Sequence, residues 1–203
     1  MGSISLQSDY QHWQQLRQGS PSALEAIYDK FFPELFRYGL QLVSDRSLVQ
    51  DTLQDFFVEL YTNAAQLSEV QQVRAYLYVC FRRKLLLRQK SVAFTPESQP
   101  LDFSPSPEHQ LILQQLGEQQ MNRLKEALLN LTDRQREAIF LRYYQDMGYE
   151  EIAEVLSLKK VKYARTLIYR TIAELRQHMT KHASSLTLYS TLFFISNRNT
   201  HYK

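Results

Sequence analysis

Apolar residues in this chain recur at three- and four-residue spacing, as in Leu24, Ile27, Tyr28, Phe31 and Phe32. That period lines one stripe of an α-helix, whereas a half-buried strand would alternate every second residue. Strand-like alternation is scarce, and only five glycines occur in 203 residues. Local punctuation agrees. Ser20 before Pro21 suits a helix start, because the hydroxyl accepts from free amides and proline tolerates the first helical position. Thr132 and Gln135 have capping-box spacing ahead of Ile139, Phe140 and Tyr143. The expected fold class is all-α.

One stretch breaks the pattern. Pro96, Pro100, Pro105 and Pro107, four of the chain's six prolines, fall within SVAFTPESQPLDFSPSPEH. Proline removes backbone donors and serine competes for the backbone, so no packed element is expected there. The organisation that follows is two small helical domains: residues 1–91, a flexible linker at 92–107, a second domain at 108–181, and a tail at 182–203 of unassigned role. Charge is distributed unevenly over these parts. Residues 1–90 carry a net +1, residues 91–109 a net −3, and residues 110–203 a net +5. The positive charge is concentrated late.

The single cysteine, Cys80, excludes an internal disulfide and a cysteine-based metal cluster, as suits a reducing compartment. No basic segment followed by an apolar core opens the sequence, so no signal peptide is expected. The apolar run LTLYSTLFFIS, from Leu186 to Ser196, is about half of the roughly 20 residues a membrane helix needs. A cytoplasmic protein without a membrane span is expected.

The second domain carries a change of character. From about Tyr149 to Leu156, Ile152, Ala153, Val155 and Leu156 fall on one face, with Gly148 placed to cap or turn. After a short turn, Val161, Ala164, Leu167, Ile168, Ile172 and Leu175 form the inward stripe of a second helix. Lys162, Arg165, Thr166, Tyr169 and Arg170 are left for its outer face, with Lys159 and Lys160 in the turn. This pattern is that of a helix-turn-helix, whose second helix lies in the major groove. Between Lys159 and Lys181 there are seven bases and one acid, a field suited to a phosphate backbone. The alternative is a helical hairpin whose basic side is merely solvated.

In the first domain, Asp51, Asp55 and Glu59 follow a four-residue spacing and line one helix face. Like charges so spaced cost a few tenths of a kcal/mol per pair, which a basic partner surface would relieve. A solvated acidic face is the competing reading. Next comes VRAYLYVCFRRKLLLRQK, in which Arg74, Arg82, Arg83, Lys84, Arg88 and Lys90 share a helix with Tyr76, Tyr78 and Phe81. Aromatic rings can stack on unpaired bases while Arg and Lys track phosphates. The competing reading places the rings in the core beside a solvated basic stripe.

Together these motifs resemble the sigma-70 family of bacterial RNA polymerase sigma factors, in its short two-domain extracytoplasmic-function (ECF) group. The family's core-binding pattern matches Asp51, Gln54, Asp55, Phe57 and Tyr61. Its Ala-aromatic-Leu-aromatic run into a basic helix matches Ala75 to Lys90. LLNLTDRQREAIFLRYY, EEIAEVL and IYRTIAELR match its C-terminal domain. The resemblance covers about residues 15–90 and 110–178. Arg83 stands where many members have Asn, Leu87 where an Asp is common, and the helix-turn-helix turn is one residue longer than the commonest spacing.

The resemblance implies that Asp51, Gln54, Asp55 and Glu59 dock on core RNA polymerase. It implies that Tyr76, Tyr78, Arg82, Arg83, Lys84, Arg88 and Lys90 capture and melt the −10 element. Lys159, Lys160, Lys162, Arg165, Thr166, Tyr169 and Arg170 would read the −35 element. Core polymerase, promoter DNA and an anti-sigma factor are the implied partners, with no catalytic residue, cofactor, metal or small-molecule substrate. The rival is a helix-turn-helix regulator whose N-terminal half senses a ligand or dimerises. An enzyme reading rests only on His178 and His182 at i, i+4 spacing without a third ligand, and on Cys80, whose thiol neighbouring arginines could activate.

Overall fold

The computed structural model describes residues 2–91, 124 and 126–180. The expected linker at 92–107, the tail at 182–203 and His182 lie outside the described residues. Those described form helices and turns, with no strand among them. They fall into two compact units. One holds the helices up to Ser91 together with Gly148–Ala164, and the other holds the remaining residues up to Met147 and from Arg165 onward.

In the first unit, α1 (Gly2–Arg17), α2 (Pro21–Leu42), α3 (Arg46–Thr62) and α4 (Val73–Ser91) follow in order, with a 3-10 turn at Ala64–Gln66. Ser20 caps α2 by accepting from the Ala23 amide at 3.4 Å, with Pro21 in the first turn. Asp45 caps α3 through the Leu48 amide at 3.0 Å. The buried positions then obey the helical period. Ala23, Ile27, Phe31, Leu35 and Tyr38 face inward from α2; Val49, Leu53, Phe56, Phe57 and Leu60 do so from α3. Gly39 lets these helices approach closely. A Cβ there would stand 2.6 Å from Val49 Cγ1 and 3.1 Å from the Phe81 ring. Trp13 closes this core from α1, fully buried, with its indole N–H donating to the Ser68 carbonyl at 3.0 Å. Arg17 secures the same loop by donating to the Leu67 carbonyl at 2.9 Å.

In the C-terminal half, α5 (Asp133–Ile139) begins with the capping box expected from Thr132 and Gln135. The Thr132 amide donates to Gln135 Oε1 at 2.9 Å, and the Gln135 amide to Thr132 Oγ1 at 3.3 Å. The sequence places Ile139, Phe140 and Tyr143 on one regular helix. Instead the chain widens after Ile139 into a π turn over Phe140–Tyr144, closed by the Gln145 amide on the Phe140 carbonyl. Two features explain the widening. Phe140 and Tyr144 stack at 5.4 Å, and buried Arg142 donates to the Met147 carbonyl at 2.7 Å, which draws the following turn back. Asp146 makes that turn at φ 49°.

Two further helices follow, α6 (Tyr149–Val155) and α7 (Val161–Thr180). Gly148 caps α6, and Glu151 reaches back to its amide at 2.8 Å. After α6, Ser157 takes a left-handed φ of 52°, and the Leu158 amide donates to the Ala153 carbonyl at 2.7 Å. This six-to-one closure ends a helix sharply and redirects the chain. In the second unit, Leu175 from α7 packs with Ala127, Leu128 and Leu131, with Leu124 against them. Gln135 donates to Glu174 at 2.7 Å beside that cluster.

Candidate polymerase and nucleic-acid interface

Because α3 buries Val49, Thr52, Leu53, Phe56, Phe57 and Leu60, its other side is left to solvent. Asp51, Gln54, Asp55 and Glu59 all stand exposed there, along with Val58 and Tyr61. The acidic row is not bare, however. Arg88 pairs with Asp55, and Lys84 pairs with Glu59, both reaching across from α4. The like-charge cost of the row is thus partly relieved inside the chain, by α4, as well as by any basic partner surface. No ion pair to Asp51 occurs among the described residues. Both pairs are solvent-exposed, so each contributes at most about 1 kcal/mol.

On α4 the structure divides the aromatic residues from the bases. Tyr78 is fully buried, its ring 4.9 Å from that of Tyr38 and its hydroxyl 3.4 Å from Glu34. Burial pushes its pKa up and keeps it neutral. Tyr78 cannot stack on a base without leaving the core, which removes it from the residues expected at the −10 surface. Phe81 is equally buried, and Arg74 is engaged by Glu34 at 3.2 Å. Tyr76 remains half-buried, edge-on to Trp13 at 5.1 Å, with its hydroxyl pushed up to about 12 by burial and then by Cys80. Arg83 and Lys90 are exposed; Arg82, Lys84 and Arg88 are half-exposed.

Between α3 and α4 lies a concavity of about 340 Å³, lined among others by Leu60, Tyr76, Cys80, Arg83 and Leu87. Burial raises the Cys80 thiol above its ordinary range, against weaker opposing effects of the Tyr76 hydrogen bond and Arg83. The side chain is therefore a protonated thiol at neutral pH, not an arginine-activated thiolate.

The outer side of α7 presents Lys162, Arg165, Thr166, Tyr169 and Arg170, all exposed, after exposed Lys159 and Lys160 in the turn. The inward stripe is Ala164, Ile168, Thr171 and Leu175; Val161, Leu167 and Ile172 are only half-buried. Thr171 is accommodated by donating its hydroxyl to the Leu167 carbonyl at 2.8 Å. Helical spacing alone passes over one surface residue. Tyr163, 45% exposed, lies in the first turn of α7, with the Lys162 ammonium 5.3 Å from its ring centroid. The signal was available, since Tyr163 directly precedes Ala164 at the head of the inward stripe.

Residues 121–175 match the sigma-70 region 4 family. The chain is 28% identical to RNA polymerase sigma factor YlaC of Bacillus subtilis over 170 residues, covering 78% of this chain and 93% of that one. It is 26% identical to the ECF RNA polymerase sigma factor SigK of Mycolicibacterium vanbaalenii, covering 70% of this chain and 75% of that one. Among solved structures, CnrH in complex with the cytosolic domain of CnrY matches 87% of this chain and 99% of its own, with a TM-score of 0.60 at 21% identity. The sigma factor RpoE of Bartonella quintana, in complex with the anti-sigma factor NepR, matches 78% of this chain and 98% of its own, with a TM-score of 0.55 at 19% identity. Matches of this extent take in the N-terminal half, where the rival regulator would carry an unrelated sensing domain.

The described residues are all helix and turn, and residues 121–175 carry the sigma-70 region 4 pattern. Over 70–78% of its length the chain is similar to RNA polymerase sigma factors, an ECF member among them, and such factors regulate transcription rather than catalyse it. No helix among the described residues is long and apolar enough to cross a membrane.

Proposed function

We propose that this chain binds core RNA polymerase and confers promoter choice by melting a −10 element and reading a −35 element. The observation that carries the reading is the exposure of all seven expected −35 residues along α7 and its preceding turn. The exposed acids of α3, Asp51 and Asp55 foremost with Gln54 and Glu59, dock on core. Arg82, Arg83, Lys84, Arg88 and Lys90 of α4 follow the backbone of the −10 strand, with Tyr76 as the ring available to a base. The domains so assigned are residues 1–91 and 108–181, with 92–107 as tether. An anti-sigma partner is supported by the two solved relatives, each in complex with another protein.

Position on α7 separates specificity from affinity. Arg165 and Thr166 project from its N-terminal turns, where a recognition helix meets base edges, and arginine reads guanine with two hydrogen bonds. Lys159 and Lys160 lie in the turn, where flexible ammonium groups meet phosphates. Arg165→Ala should weaken binding to the native −35 sequence by about 1–3 kcal/mol and relax preference at one base pair. Lys160→Ala should weaken all sequences alike and lower the salt slope by about one unit. Transcription from templates randomised at −35, at several salt concentrations, separates the two. The reverse assignment of effects would contradict this placement of α7.

A further inference from the structure

We infer that Tyr163 is a specificity-determining residue that recognises thymine in the upstream promoter element through its 5-methyl group, an inference that rests on α7 being the −35 reader. The Tyr163 ring stays 45% exposed while Ala164, next in sequence, is fully buried. A large apolar ring held in water is an unfavourable arrangement that burial against a ligand would relieve. Its location selects the ligand. Tyr163 lies in the first turn of α7, and Thr166 and Arg170 follow at three and seven residues on the same exposed side. At about 1.5 Å rise per residue, this stripe spans roughly 10 Å, or about three base-pair steps. The only apolar group protruding into the major groove is the thymine 5-methyl, so an aromatic ring there distinguishes thymine from cytosine and both purines.

The neighbouring charge fits the same role. The Lys162 ammonium sits over one face of the Tyr163 ring, 5.3 Å from its centroid. That contact orients the ring and leaves its other face and edge for a base. It also places a cation beside the ring, suited to the phosphate flanking the thymine. Tyr169 is more exposed, at 62%, and stands six residues further along the same helix, so it serves as the aromatic control.

The test uses holoenzyme assembled from the full chain and core RNA polymerase. Binding sites are selected from duplexes randomised in the upstream element, and each selected thymine is then replaced singly by deoxyuridine, which removes only the methyl. Wild-type holoenzyme should lose about fourfold affinity at one position, the value of one buried methyl group. Tyr163→Ala should bind the thymine and uracil duplexes equally, whereas Tyr163→Phe and Tyr169→Ala should keep the fourfold difference. A full uracil penalty in Tyr163→Ala, or no sensitive thymine in the wild type, overturns the proposal while a conserved selected element leaves the −35 reading standing. Selection that returns no conserved upstream element overturns both.

Discussion

Exchanging the charges of Asp55 and Arg88, by Asp55→Arg with Arg88→Asp, should restore the fold's ion pair and still fail to restore polymerase binding. Asp55 already has a partner in the free chain. Its carboxylate pairs with Arg88 across α3 and α4, so a defect in Asp55→Arg alone could come from two arginines facing each other. That repulsion, at a half-exposed surface site, costs at most about 1 kcal/mol. The swapped pair removes it. The proposed docking on core, in contrast, depends on the sign of the charge presented outward, and a reversed charge against a basic surface costs several kcal/mol. Thermal stability of the swap should therefore match wild type, while affinity for core falls about a hundredfold or more. Arg88→Asp alone should retain core binding. Asp51→Arg with Asp55→Arg should abolish pull-down of core with the helical circular-dichroism signal intact. Recovery of core binding by the swap would show that the ion pair, not the outward charge, is what matters.

Trp13→Ala should cost about 3–5 kcal/mol of stability in the first cooperative unfolding transition, the range for emptying a fully buried aromatic site. Trp13 is wholly enclosed, and its indole N–H holds the Ser68 carbonyl at 3.0 Å. Truncation leaves a void and an unsatisfied carbonyl together. Trp13→Phe keeps most of the packing and should cost less. Because the chain has no other tryptophan, urea unfolding is followed by circular dichroism. The functional consequence is specific. Trp13 meets Tyr76 edge-on at 5.1 Å, so its loss frees the ring proposed to take a −10 base. A loss under about 1 kcal/mol for the alanine variant would mean that α1 is peripheral to this core.

The helices and their ends were legible because their causes are local. Ser20, the Thr132–Gln135 box and the Tyr149 start follow from side chains reaching three residues along the chain. The exposed face of α3 was legible too, since its apolar residues occupy the opposite arc. What the sequence did not reveal depends on neighbours distant along the chain. Tyr78 and Tyr76 differ by two positions on α4, yet only Tyr78 meets Tyr38 and Glu34 of α2 and is buried. The Asp55–Arg88 and Glu59–Lys84 pairs join residues 33 and 25 positions apart, beyond any periodicity within one helix. Spacing along a single helix reveals which residues share a side, not which side another helix will cover.

The most direct test of the whole account is transcription by purified core RNA polymerase, with and without this chain, on a library of promoter fragments. The chain and core together should give discrete start sites sharing −10 and −35 elements. Core alone gives none, and the chain alone does not shift the same DNA. Sequence-specific binding of that DNA by the chain alone, with no start sites gained when core is present, would contradict it.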